Sequence, residues 1–479
     1  MPTQSRTRAS GGAASRQHLL AADLPAPGRA AVTGGVWGNY VDQLNIFLPV
    51  TALAPALPTI AGRDAVASTV AFVVMATLIG RPLGAMIFGR ISDAVGRTTT
   101  TRVAIAGTAA CTFGIAAVPP AESIGLLSIG IVIGLRFLGG VFLAGEYTSA
   151  IPLAMEWSEP TRRGLASGLI MSMAAWAQAT IALVTVGLLT VLGPDAYAAW
   201  GWRASFAAGG TASVLMLIYY TRHVADAPIF RRHPAKTTGA PRLAQVLAGR
   251  YAGQFWQVFA LMSGLWFLTN MTVIVLTQRM VSDVGLDARG ASVAMALASI
   301  AQAIVMALAG HLSTGTGRRR FFIGWGLLAV GAGAPLWLWI TAGPRPALVA
   351  GVGAALLQVV TVCAYGPVGA YINERFPTHV RATGYGTAYS LSIVIPALYP
   401  YYLPALERVL GHQGAPAALI VLGALLVAVG GALGPRLSPA EIDDDLEAVA
   451  ARADVRGGVP AGSVEAGSGR GERADGGAR

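Results

Sequence analysis

The stretch "GNYVDQLNIFLP" (38–49) keeps a carboxylate, Asp42, and three amides, Asn39, Gln43 and Asn45, inside an otherwise apolar run. On a helix Asn39, Asp42 and Asn45 fall at i, i+3 and i+6, and Gln43 follows Asn39 by four, so all four share one broad polar stripe. A charge at bilayer depth costs at least about 2.5–3.5 kcal/mol, so a carboxylate retained there faces a cavity or a partner. Asp42 is expected to face a central cavity and to exchange a proton. Arg136, at the head of "RFLGGVFLAGEYTSA" (136–150), is its natural partner. An arginine within an apolar run stays charged and holds a carboxylate or an anionic ligand, unless it reaches out to the membrane surface from a helix end. Glu146, ten residues on, is either a second proton site or a partner for Arg162 or Arg163. Gln178, Asn270, Gln358 and Tyr365 also lie within apolar runs, where they line a cavity or bond between helices. Trp37, Trp176 and Trp266 are cavity walls or packing.

The elements that carry these residues follow from composition. Of 479 residues 54% are hydrophobic and 12% charged, against about 25% charged in ordinary soluble domains. The mean hydropathy is +0.59, and a soluble protein this apolar could not cover its surface. Twelve spans of about 20 residues need roughly 240 membrane residues, which the hydrophobic fraction supplies. Apolar runs fall at about 33–57, 68–91, 101–119, 123–154, 164–192 and 201–221, then 253–279, 290–312, 320–342, 346–372, 383–404 and 415–434. The net charge is +11 and Lys236 is the only lysine. The arginines punctuate the apolar runs instead of clustering on one face, so the charge reads as topology and not as nucleic-acid binding. With the N-terminus inside, roughly sixteen basic residues fall in inner loops against six outside, which places both termini in the cytoplasm. Cys111 and Cys363 lie in apolar runs and the six histidines show no ligand spacing, so no metal or other cofactor is expected.

Two loops repeat. "GRISDAVGRT" recurs as "GHLSTGTGRR" at an offset of 221, pairing Gly89, Ser92, Gly96 and Arg97 with Gly310, Ser313, Gly317 and Arg318. "EPTRRGLASG" is echoed by "FPTHVRATGYG" at an offset of 217 to 218. Two parallel six-span repeats give an all-α membrane protein of twelve transmembrane helices in two six-helix bundles. The layout is a disordered cytoplasmic tail (1–30), a first bundle (31–222), a cytoplasmic loop (223–252), a second bundle (253–434) and a largely disordered cytoplasmic tail (435–479). In the first loop Gly89 and Gly96 permit a tight turn and close helix approach. Asp93 can sit at a helix N-terminus, where a carboxylate is favoured by about 0.3–1 kcal/mol. Arg97 can bond terminal carbonyls or a carboxylate of the opposite half.

With Gly89, Asp93, Gly96 and Arg97 in place, this loop resembles the signature G-x-x-x-D-x-x-G-R of the major facilitator superfamily. Ala94 and Thr98 replace residues that are usually basic there, and Thr314 stands where the second copy often has an acid. A narrower resemblance is to the metabolite:proton symporter family. It rests on Arg136, Gly139, Gly145, Glu146 and Ala150, and on "EWSEPTRRGLASG", "GWRASF", "DAPIF" and "ERFPTHVRATGYGTAYS". Leu138, Ser390, Asn39 and Gln43 depart from that family's usual residues. The resemblance implies the major facilitator fold and a monomeric, multi-pass transporter of the bacterial inner membrane. It would move a small polar or anionic metabolite with protons by alternating access and have no enzymatic activity. The loop Gly89–Arg97, with Arg162, Arg163, Arg318 and Arg381, would act as a gate between the halves. Export of a secondary metabolite or drug-like compound by proton antiport is the alternative. A membrane enzyme or sensor is the third, for which the chain has no paired metal ligands, nucleophile elbow or phosphate loop.

Overall fold

The computed structural model describes residues 24–53, 56, 66–159, 161–226, 243–377 and 380–435. Most of the two tails, Lys236 and the middle of the loop between the halves lie outside the described residues.

The described chain is helical. Six long helices precede residue 227: α1 (Ala26–Thr51), α2 (Val66–Val95), α3 (Arg97–Ala116), α4 (Leu127–Trp157), α5 (Arg163–Ala196) and α6 (Trp202–His223). Six more follow residue 242: α7 (Ala252–Ser282), α8 (Ala288–Thr316), α9 (Arg318–Thr341), α10 (Ala347–Asn373), α11 (Arg381–Leu391, continued by Val394–Ala397 and Tyr399–Leu410) and α12 (Gly414–Ala432). Helix α1 starts at Ala26, earlier than the apolar run, because Pro25 and Pro27 preset helical φ in a turn whose N–H groups need no partner. Seven runs among the described residues are long and apolar enough to cross a membrane, one of them the 61-residue Arg163–His223. Gly193, at φ 79°, kinks α5 near its end, and a π-helical turn, Tyr197–Gly201, joins α5 to α6. A π-helical turn, Asn270–Val275, interrupts α7 beside the central cavity.

The repeat seen in the loops is a repeat of packing. Helix α2 lies on α4 as α8 lies on α10; α3 on α6 as α9 on α12; α1 on α6 as α7 on α12. The halves meet through α5 on α8 and α2 on α11. Gly96 (φ 116°) and Gly317 (φ 82°) turn α2 into α3 and α8 into α9 in a single residue. That left-handed backbone favours glycine, which gives the repeated motif its second glycine. Without a hydrophobic drive between helices in lipid, close association relies on small residues. A Cβ on Gly168 would meet the Ala307 carbonyl at 2.6 Å, and one on Gly310 would strike Gly164 and Gly168, so α5 and α8 touch backbone to backbone. Ser167 Oγ donates to Gly366 O (2.7 Å) and accepts from Ala370 N (3.2 Å), adding α10 to the same seam.

Gly310→Val should wedge α5 away from α8 at this end. A cysteine at Ser167, in a chain with Cys111 and Cys363 replaced by serine, should then react with a polar thiol reagent that leaves it unlabelled in the Gly310 parent. Equal labelling of both would show that this contact does not close the seam.

Candidate functional site

Each helix turn advances about 100° per residue, and this divides the polar stripe of α1 between two environments. Asn39, Gln43 and Phe47, four residues apart, face a cavity between the halves. Met171, Ala174 and Gln178 of α5 and Tyr147 of α4 join them, with Trp266, Thr269, Val273, Gln302, Met306, Val362, Tyr365 and Tyr389 from the other half. The space encloses about 500 Å³, part of it open to solvent. Three of its amides are already engaged with the protein: Asn39 donates to Ile170 O, Gln43 to Asn39 Oδ1 (3.4 Å), and Gln178 accepts from Ser299 Oγ of the other half (3.2 Å).

Asp42 and Asn45 are turned away from the cavity. Asn45 accepts from Thr112 Oγ1 and donates to Ser213 Oγ, both at 2.9 Å, which ties α1 to α3 and α6. Asp42, 4% exposed, meets the carboxyl of Glu146, also 4% exposed. The expected contact with Arg136 is absent. Arg136 Nη2 donates instead to Asn45 O (2.7 Å) and lies over the Phe206 ring. Two features of the chain explain this. Pro49 has no N–H to offer the carbonyl four residues before it, so Asn45 O is left without a helix partner and Arg136 supplies one. Arg136 also stands about 15 Å along α4 from Glu146, at 1.5 Å per residue, and its guanidinium reaches back only to Asn45, about one turn past Asp42 on the neighbouring helix. Glu146 meets Asp42 rather than Arg162 or Arg163; Arg162 pairs with Glu159 (3.5 Å) and Arg163 donates to Met155 O (3.2 Å).

Of the weaker candidates, Gln178 and Tyr365 line the cavity. Gln358 is buried against Thr272 O, and Asn270 is buried in the π-helical turn, both off the cavity surface. Trp266 is a cavity wall. Trp37 is 55% exposed on the outer surface of α1, and Trp176 is absent from the cavity lining.

The gate residues form two linked clusters where α2 turns into α3. Asp93 crosses to the other half and accepts from Ala382 N (3.2 Å), Thr383 N (3.0 Å) and Thr383 Oγ1 (2.8 Å), capping the N-terminus of α11. A Cβ on Gly89 would lie 3.0 Å from Thr383 Cα, so the glycine lets α2 reach α11. Arg97 pairs with Glu156 (2.9 Å), and Arg381 of the other half pairs with the same Glu156 oxygen (2.6 Å). In the second repeat Arg318 holds Glu374 through Nε (3.3 Å) and Nη2 (3.1 Å). Asp226, in "DAPIF", bonds Thr98 N and Oγ1, both at 2.9 Å, at the start of α3.

Sequence reasoning missed Glu156 and Glu374, although both lie in quoted motifs, and it missed Arg81. Arg81, 1% exposed, lies within an apolar run, the same signal that marked Arg136. Its guanidinium stands over Tyr147 (4.8 Å), Trp266 (5.4 Å) and Tyr389 (5.6 Å) and near enough to Asp42 for the charges to attract.

A sequence profile of the Major Facilitator Superfamily matches residues 43–398. The chain belongs to that superfamily. It is 26% identical to the proline/betaine transporter of Salmonella typhimurium over 331 residues, 67% of this chain and 65% of that one, so it matches less than two thirds of that relative. It is 27% identical to the citrate-proton symporter of Salmonella typhi over 425 residues, 85% of this chain and 94% of that one. The fold is similar to that of the proton:xylose symporter XylE (TM-score 0.68, 14% identity, 85% and 94% of the two chains). It is also similar to the human organic anion transporter MFSD10 (TM-score 0.64, 16% identity, 84% and 99%). All four are named as transporters and none as an enzyme.

Asp93→Asn keeps an acceptor for α11 but removes the charge at its N-terminus, an interaction worth about 0.3–2 kcal/mol. The balance between closed and open forms should shift by roughly two- to thirtyfold, with folding and insertion intact. Spin-label distances across the seam measure the shift; unchanged populations would make Asp93 a passive turn residue.

Proposed function

We propose that the chain is a proton-coupled transporter of a small polar or anionic metabolite, with twelve spans in two six-helix bundles. It works by alternating access in the bacterial inner membrane as a monomer, with both termini in the cytoplasm. The observation that carries this reading is the buried Asp42–Glu146 carboxyl pair, set one helix face behind a cavity that both halves line. Two ionised carboxylates in contact repel, so the contact is a place where a proton is held between them. Tyr147 neighbours both Asp42 and the cavity, so it links the proton site to the substrate space. The named relatives support the class, a citrate-proton symporter among them. The closed seam at Asp93, Glu156 and Gly310, with the cavity beyond it, suits a form shut on the side of the α2–α3 turn. The positive-inside distribution makes that side cytoplasmic.

The test is uptake of a labelled metabolite panel into proteoliposomes with an imposed pH gradient. At least one small metabolite should accumulate, inward acidification should accompany it, and dissipating the gradient should abolish accumulation. The double variant Asp42→Asn, Glu146→Gln should lose accumulation while retaining exchange of substrate down its gradient, because amides keep the size of protonated acids but cannot titrate. Continued accumulation by the double variant would assign the proton to another group and make the pair structural.

A further inference from the structure

Among the described residues no carboxylate lines the cavity, and behind three of its lining rings, Tyr147, Trp266 and Tyr389, lies the buried cation Arg81, whose hydrogen-bonding capacity is partly unused. Arg81 Nε and Nη2 have no acceptor among the described residues. These are the two nitrogens on one edge of the guanidinium, and they are the same two through which Arg318 grips both oxygens of Glu374. That edge is a ready two-pronged fit for a carboxylate. An arginine cannot shed its charge, and leaving buried donors unmet is costly, so the site is built for an anion that the described residues do not provide. Among the described residues Arg81 stands over three cavity-lining rings, bonds the Tyr389 hydroxyl, and interacts at longer range with Asp42, Tyr365 and Tyr385.

The repeat supplies the second half of the argument. Arg81 stands eight residues before Gly89 in α2, and Gln302 stands eight residues before Gly310 in α8. The pseudo-symmetry therefore sets Arg81 and Gln302 at equivalent places on facing halves. Gln302 lines the cavity, and its buried Oε1 has no donor among the described residues. The two unmet groups are complementary in kind: donors on one side, an acceptor on the other.

We propose that Arg81 binds the carboxylate of the substrate and that Gln302 Oε1 accepts a hydrogen bond from an O–H or N–H elsewhere on it. This rests on the transport reading above and names its substrate class: a small hydroxy or amino acid, held between Tyr147, Trp266 and Tyr389. It also couples binding to protonation. A carboxylate on Arg81 neutralises the cation that favours ionised Asp42, so substrate and proton promote each other's binding.

Binding is read on purified full-length protein from ligand-induced thermal stabilisation, independently of transport. The probes are lactate, citrate and proline, each beside its amide, and glycine betaine, which has a carboxylate but no donor. At least one donor-bearing acid should stabilise the parent, with its amide and glycine betaine each about ten- to a hundredfold weaker. Arg81→Gln should weaken the acid to the level of its amide and leave the amide unchanged; Arg81→Lys should restore part of the difference. Gln302→Leu should remove the preference over glycine betaine alone. An amide binding as tightly as its acid in the parent would overturn the proposal without needing any variant, as would an undiminished acid preference in folded Arg81→Gln. If acids bind through Arg81 but no pH gradient drives uptake, the coupling proposal above fails and the binding assignment stands. If a neutral solute is accumulated with protons regardless of Arg81, the reverse holds.

Discussion

The closed seam depends on one carboxylate. The Glu156 side chain is fully buried at the end of α4, and a single one of its oxygens holds Arg97 of its own half and Arg381 of the other. Charges this deep are tolerated only when answered at close range, and with Asp93 facing Arg97 the group contains two acids and two arginines. The neutrality is shared between halves: separate them, and Arg381 leaves with α11 while Glu156 and Asp93 stay behind. The backbone contacts of α5 on α8 give the seam its fit, and the charge cluster makes it switchable, because an electrostatic bond across a moving boundary has two distinct states.

Away from the seam the same constraint is solved differently in each place. Asn45 is answered by two hydroxyls and Asn39 by a carbonyl. Arg136 is answered by the carbonyl that Pro49 frees, so a helix irregularity and a buried cation satisfy one another. Arg81 differs in that, among the described residues, the whole Nε–Nη2 edge of its guanidinium has no acceptor. Aromatic faces attract a guanidinium but supply no acceptor in its plane, and that difference separates a cation used to build the fold from one left available to a ligand.

The pattern of contacts also gives the two repeats unequal tasks. Arg318 and Glu374 close a two-pronged pair within the second half, whereas Arg97 shares its acid with the opposite half. Thr314 occupies the place equivalent to Asp93 and bonds Arg318 within its own half (3.2 Å). Both repeats pack across the seam through Gly89 and Gly310, but the Arg97 ion pair is shared between the halves while Arg318 and Glu374 pair within one.

Much of this was legible in the chain, for identifiable reasons. Charge fraction and apolar runs excluded a soluble core, because a bilayer penalises exposed charge whatever the fold. The loop motifs carried the family, because a one-residue turn demands glycine at Gly96 and Gly317, and a helix terminus favours an acid such as Asp93. The stripe on α1 was legible as polar but not as divided. Periodicity says which residues share a broad face, and only the neighbours of α1 decide that Gln43 meets the cavity while Asp42 meets Glu146. The pairing of Arg136 with Asp42 failed for the same reason: opposite charges in apolar runs suggest each other by chemistry, but helix register and the carbonyl freed by Pro49 set which atoms come within reach. Local sequence thus determined the elements and the costly groups within them. The tertiary structure alone decided the partners, because a buried charge is satisfied by whatever acceptor lies within a few ångströms, and that distance is set by packing between segments far apart in the chain.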